Sequence, residues 1–127
     1  MIRPAPATVG YTGVFPGRAD QVGRARREVA RYLADCPVAS DALIVLSELA
    51  TNAVLHSRSK QDFFTVHAEL TDCHARLVVE DAGGTWEPPG PAETDGGRGL
   101  QIVAALADAW GIDGDASGRV VWARLTW

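Results

Sequence analysis

The sequence predicts an α+β fold, a two-layer sandwich with helices packed on one face of a mixed, mainly antiparallel sheet. Three observations carry this: two helix-period segments in succession, two strand-like runs parted by a short polar turn, and a C-terminal stretch that alternates apolar with polar residues. A doubly wound parallel sheet fits less well, because its strands would be regularly interleaved with helices. The 127 residues, 46% hydrophobic and 22% charged, suit one globular domain over 1–127 with a substantial core, and exclude disordered and fibrous classes.

Residues 1–14 read as a loose arm with Pro4, Pro6, Gly10 and Gly13, and the alternation through Val9, Tyr11, Val14 and Phe15 leads it into one edge strand. Val22, Ala25, Val29, Tyr32 and Leu33 then recur every three or four residues among Arg24, Arg26, Arg27, Glu28 and Arg31. That is an amphipathic helix over 18–34. Pro37 stops it. A second helix starts near Ser40 and Asp41, both able to cap it, and runs to about His56 with Ala39, Ala42, Leu43, Leu46, Leu49, Ala50 and Ala53 on one face.

Residues 63–70 and 76–80 read as a hairpin around the turn 71–74. From 82 to 99 the glycines and prolines are too dense for helix or sheet interior, and a loop this long is more often a functional lid than a linker. A third helix is expected over 100–110, ended by Gly111. Residues 119–127 form a closing strand that sets Val121, Ala123, Leu125 and Trp127 against Val120, Trp122, Arg124 and Thr126.

Twelve Lys plus Arg against sixteen Asp plus Glu leave a net charge of −4, which speaks against nucleic acid or anionic lipid as a partner. No run approaches the length of a membrane span and the start lacks signal-peptide order, so a cytoplasmic protein is expected. Cys36 and Cys73 are too few for a disulfide framework and lack zinc spacing; both read as small, partly buried thiols. His67 and His74 read as surface residues, and Trp110, Trp122 and Trp127 as core or dimer-interface bulk. Trp86 in the lid reads either as a partner anchor or as an aromatic tucked under its own loop.

Three segments could carry chemistry. Glu48, Asn52 and His56 are spaced i, i+4, i+8, a polar stripe able to gather a hydrated divalent cation such as Mg²⁺ and a hydroxyl; a solvated helix face is the alternative. Asp81 ends a strand and precedes Gly83, where a carboxylate can accept from an exocyclic amine in a pocket or simply cap a turn. Gly96, Gly97, Arg98 and Gly99 stand just before the expected third helix, where bare backbone N–H groups can receive phosphate or form a flexible turn. Neither a P-loop nor a Rossmann fingerprint occurs.

In this order the segments resemble the boxes of the histidine-kinase-like, Bergerat-fold ATPases. Residues 47–56, Ser-Glu-Leu-Ala-Thr-Asn-Ala-Val-Leu-His, resemble the N-box; Val79-Glu80-Asp81-Ala82-Gly83 the first glycine box; and Gly97-Arg98-Gly99-Leu100 the second. The ending Gly118-Arg119-Val120-Val121-Trp122-Ala123 resembles the closing strand of the anti-sigma-factor serine-kinase branch, and the resemblance runs over 15–127.

The resemblance implies a Bergerat ATPase fold that binds ATP and Mg²⁺. Glu48 would be the general base, Asn52 the Mg²⁺ ligand, and Asp81 the acceptor for the adenine amine, with Gly83 letting the base lie against the backbone. Gly97, Arg98, Gly99 and Leu100 would cover the phosphates within a lid over 83–98. His56 would stand near the phosphates, or else be a helix-end residue that suits the dipole. Two departures are visible: Thr85 where relatives often carry another glycine, and Val120 where they often carry a hydroxyl residue, so one pocket hydrogen bond is expected to be missing.

The function so implied is a serine/threonine protein kinase that phosphorylates an anti-sigma-factor antagonist and sequesters a sigma factor, acting as a homodimer. The competing reading is a non-catalytic, nucleotide-responsive switch that holds a protein partner. The third, the catalytic half of a two-component sensor, lacks a helical dimer stem and a phosphoacceptor histidine outside the 47–56 box.

Overall fold

A computed structural model of the chain describes residues 9–56, 62–81, 94–115 and 118–127. Its order is β1 (Val9–Pro16), α1 (Ala19–Tyr32), α2 (Ala39–His56), β2 (Phe63–Leu70), β3 (His74–Asp81), α3 (Thr94–Leu106), β4 (Ala109–Asp115) and β5 (Gly118–Thr126). The strands form one sheet in the order β1-β2-β3-β5-β4, and every pair is antiparallel. The expected α+β sandwich is therefore present, with an antiparallel rather than mixed sheet.

Side-chain alternation puts the core on one face of that sheet. Phe15, Phe64, Val66, Ala68, Leu77, Val79, Val121, Ala123 and Leu125 are buried there, and the helices cover them. Gln21, Ala25 and Val29 of α1 and Ala42, Val45, Leu46, Leu49, Ala50, Ala53 and Val54 of α2 supply the opposing layer. Phe15 and Phe64 stack with ring centres 5.5 Å apart. Asp20 in the first turn of α1 and Arg31 in the last suit its dipole.

Four expectations need correction. The edge strand expected through Val9, Tyr11, Val14 and Phe15 is present as β1 and starts at Val9, so within the arm bounded at 1–14 residues 9–14 belong to the strand. Ser40 and Asp41 lie inside the first turn of α2, which starts at Ala39. The third helix is shifted: α3 begins at Thr94, inside the stretch read as non-helical, so Gly97, Arg98 and Gly99 are helical residues rather than residues before a helix. It also ends at Leu106, where the Asp108 amide donates to the Arg124 carbonyl at 2.8 Å and starts a strand the sequence reading omits.

Gly111 is consequently a strand residue. A Cβ there would lie 2.7 Å from Trp122 Nε1, so the glycine is the space in which the indole packs rather than a helix stop. Trp110 faces the core, Trp122 is half-buried on the opposite face under Arg76 at 5.4 Å, and Trp127 is exposed. Both cysteines are free, and Cys73 is exposed at the hairpin turn rather than partly buried. His67 bridges Thr12 and Glu80 at 3.0 Å each on the open sheet face. Trp86 lies outside the described residues. Among the described residues no helix is long and apolar enough to cross a membrane, and no group of His, Cys, Asp or Glu could hold a metal ion.

β1 is tied to α1 by Tyr11, whose hydroxyl donates to Glu28 Oε1 at 2.7 Å. Burial, then the bond to Glu28 and its charge, push the Tyr11 phenol from an ordinary 10.0 up to about 12. Because the folded value is raised, this contribution to stability is whole below pH 10 and is lost as pH climbs towards about 12. Tyr32 is raised as well by burial, so the difference between wild type and Tyr11→Phe isolates Tyr11. Urea melts should show the wild type more stable at pH 8 by about 1 kcal/mol, with the gap shrinking at pH 11. A gap that is constant with pH would contradict the assignment.

Candidate nucleotide site

Strand alternation determines where Asp81 points. Ala75, Leu77 and Val79 are buried on the helix-covered face of β3, and Asp81 is the next residue in that series. On β5 the series Leu125, Ala123, Val121 continues to Arg119. Antiparallel pairing sets Asp81 directly opposite Arg119, so two opposite charges meet at the end of the core. Their side chains are only 1% and 4% exposed.

At that depth an isolated charge would be costly, and the two form a pair. Arg119 Nε donates to Asp81 Oδ2 at 3.1 Å and Nη2 donates to the same oxygen at 2.9 Å. Nη2 also donates to the backbone carbonyl of Asn52 at 3.4 Å, which ties β5 to α2. On the other side of Arg119 stands Gly114, with φ of 122°, in the left-handed region that favours glycine. A Cβ at Gly114 would lie 2.6 Å from the Arg119 Cα. β4 thus presses its bare backbone against the residue that holds Asp81.

α2 brings the other groups. Glu48 and Asn52 are one turn apart, both half-buried and open to solvent, and α2 packs against β3 and α3. Ser47 just before them bonds back to the Leu43 carbonyl at 2.9 Å. His56 is the last residue of α2, and its side chain lies outside the described residues. Gly97, Arg98 and Gly99 lie on the first half of α3, where the backbone alone is described, and Leu100 is half-buried behind them. Gly83, Thr85 and most of the expected 83–98 lid lie outside the described residues.

Arg119 therefore links the Asn52 backbone to the Asp81 carboxylate, and α3 packs on the same helix as Glu48. Val120 is opposite Glu80 and Asp113, off the face that Asp81 occupies, so the residue beside Asp81 is Arg119. Sequence reasoning missed Arg119 as a site residue. Counting back by twos from Leu125 would have placed it on the inner face.

By its chemistry the set offers an amide oxygen on Asn52 that a hard cation could take and a Glu48 carboxylate open to solvent, while the buried Asp81 carboxylate is engaged by Arg119.

Residues 15–125 match the histidine kinase-like ATPase domain family. No curated protein matches the chain. Among solved structures, the RsbU and RsbW domains of Rv1364c from Mycobacterium tuberculosis are similar at 20% identity with a TM-score of 0.72; the match covers 92% of this chain and 32% of that one. This chain thus spans about a third of that structure. The histidine kinase domain of the Erythrobacter litoralis EL346 blue-light activated histidine kinase is similar at 20% identity and a TM-score of 0.56, covering 97% of this chain and 69% of that one. The Acinetobacter baumannii histidine kinase AdeS is similar at 18% identity and a TM-score of 0.50, with 91% and 67% covered. At these identities the likeness is one of fold.

Proposed function

Because this chain belongs to the histidine kinase-like ATPase domain family, we propose that it is an ATP-binding regulatory protein of the anti-sigma-factor kinase kind. It moves the γ-phosphoryl group of ATP to a serine or threonine hydroxyl on an anti-sigma-factor antagonist, and it sequesters a sigma factor. It acts in the cytoplasm as a homodimer. The observation that supports this reading is the tie between α2 and the end of β3: Arg119 donates both to Asp81 and to the backbone carbonyl of Asn52, one turn along α2 from Glu48. The fold shared with a structure that contains an RsbW domain supports it.

Glu48 takes the proton of the attacking hydroxyl, and its position on a helix flank open to solvent suits a partner's side chain. Asn52 would hold Mg²⁺, which when bound would neutralise phosphate charge. With nucleotide bound, Asp81 would accept the adenine amine, Gly83 would let the base approach the backbone, and Gly97, Arg98, Gly99 and Leu100 would cover the phosphates. His56, the last residue of α2, would stand near the phosphates or else suit the helix dipole.

A second reading, a nucleotide-responsive switch without catalysis, draws support from the buried Arg119–Asp81 pair, which engages the carboxylate that the base needs. Incubation with Mg-ATP and a candidate antagonist separates the two. A mass increase of one phosphate on the partner supports the kinase; tight ATP binding with no phosphorylated partner supports the switch. In either case Asn52→Ala should remove Mg-dependent affinity for a fluorescent ATP analogue while the circular dichroism spectrum is retained. An unchanged titration would count against Asn52 as the Mg²⁺ ligand.

A further inference from the structure

We propose that Arg119 sets the affinity of the nucleotide site: its guanidinium holds the Asp81 carboxylate that the base must reach, so an adenine nucleotide binds only when Arg119 leaves it. This rests on the reading of Asp81 as the base acceptor. Arg119 Nε and Nη2 donate to Asp81 Oδ2 at 3.1 and 2.9 Å, and a further donation from Nη2 to the Asn52 carbonyl anchors the guanidinium from the helix side. With the Asp81 side chain 1% exposed, no base reaches the carboxylate while this arrangement stands.

The competition favours the arginine. Two charge-assisted bonds from a planar guanidinium are stronger than one bond from a neutral exocyclic amine, so the base alone does not displace it. The remainder of the binding energy has to come from the phosphates. The apparent dissociation constant is then the intrinsic one divided by the fraction of molecules in which Asp81 is released. Arg119 thereby acts as a positioning and affinity residue rather than a catalytic one.

Calorimetric titration of the full chain, as wild type, Arg119→Thr and Arg119→Lys, tests this with Mg-ATP and with inorganic tripolyphosphate, which has no base. Arg119→Thr should bind Mg-ATP at least about tenfold more tightly than wild type, and Arg119→Lys, a single-point ammonium, by a smaller factor. Tripolyphosphate should bind all three alike. Equal Mg-ATP affinity in wild type and Arg119→Thr overturns the proposal and leaves the nucleotide reading standing; no Mg-ATP binding by either overturns both. An equal gain for tripolyphosphate overturns it as well, since the effect would not pass through the base. Should Arg119→Thr fail to fold, Arg119→Lys decides, and an affinity no tighter than wild type overturns the proposal.

Discussion

Asp81→Ala is expected to lower the unfolding free energy by about 3–5 kcal/mol in urea melts at neutral pH, because it leaves the Arg119 guanidinium buried without its carboxylate. The pair is inside the protein, at 1% and 4% side-chain exposure, so solvent screening does not rescue the orphaned charge. Replacing both members, as in Asp81→Leu with Arg119→Met, should recover most of the loss, since the cost comes from the unpaired charge rather than from the missing attraction. A loss below about 1 kcal/mol for Asp81→Ala would mean that the two groups behave like a surface bridge. That outcome would contradict the burial on which the closed base subsite depends.

Glu48→Ala is expected to slow phosphoryl transfer to the partner by about 10²–10⁴-fold, the usual contribution of a positioned proton acceptor. Glu48 lies on the half-buried flank of α2, whereas Leu46, Leu49 and Ala50 around it are buried in the core. The substitution should therefore leave the fold and the affinity for Mg-ATP near wild type. Single-turnover transfer and calorimetry on the same sample separate rate from binding. A variant that transfers phosphate at the wild-type rate would remove Glu48 from the mechanism, and one that loses Mg-ATP affinity instead would make it a binding residue.

Periodicity made most of the fold legible. The α2 stripe from Ala42 to Ala53 and the alternation of β5 are long enough to fix both element type and inward face, and the structure buries those positions. The C-terminal end of α3 was not legible. Leu100, Val103, Ala104, Leu106 and Ala107 do run at helical spacing, but Gly111 looks like a stop when it is the space beneath Trp122, and β4 offers only Trp110 and Ile112 as its apolar alternation. Glycine density likewise hid the start of α3 at Thr94, because Gly96, Gly97 and Gly99 have poor helix propensity.

At the site, the same alternation that buries Val121 and Ala123 dictates that Arg119 rather than Val120 faces Asp81. What a single strand cannot reveal is its register against a distant partner. Only the pairing of β3 with β5 shows that the inward charge on one meets the inward charge on the other.

The central claim is that the middle of α2, the end of β3 and the start of β5 form one purine nucleotide site. Amide chemical shifts recorded while Mg-ATP is added to the ¹⁵N-labelled protein test it most directly. The account predicts saturable shifts clustered at residues 48–56, Asp81 and Arg119, with the last two moving together as their pair opens. Shifts confined to other surfaces, or none at millimolar nucleotide in both wild type and Arg119→Thr, would contradict it.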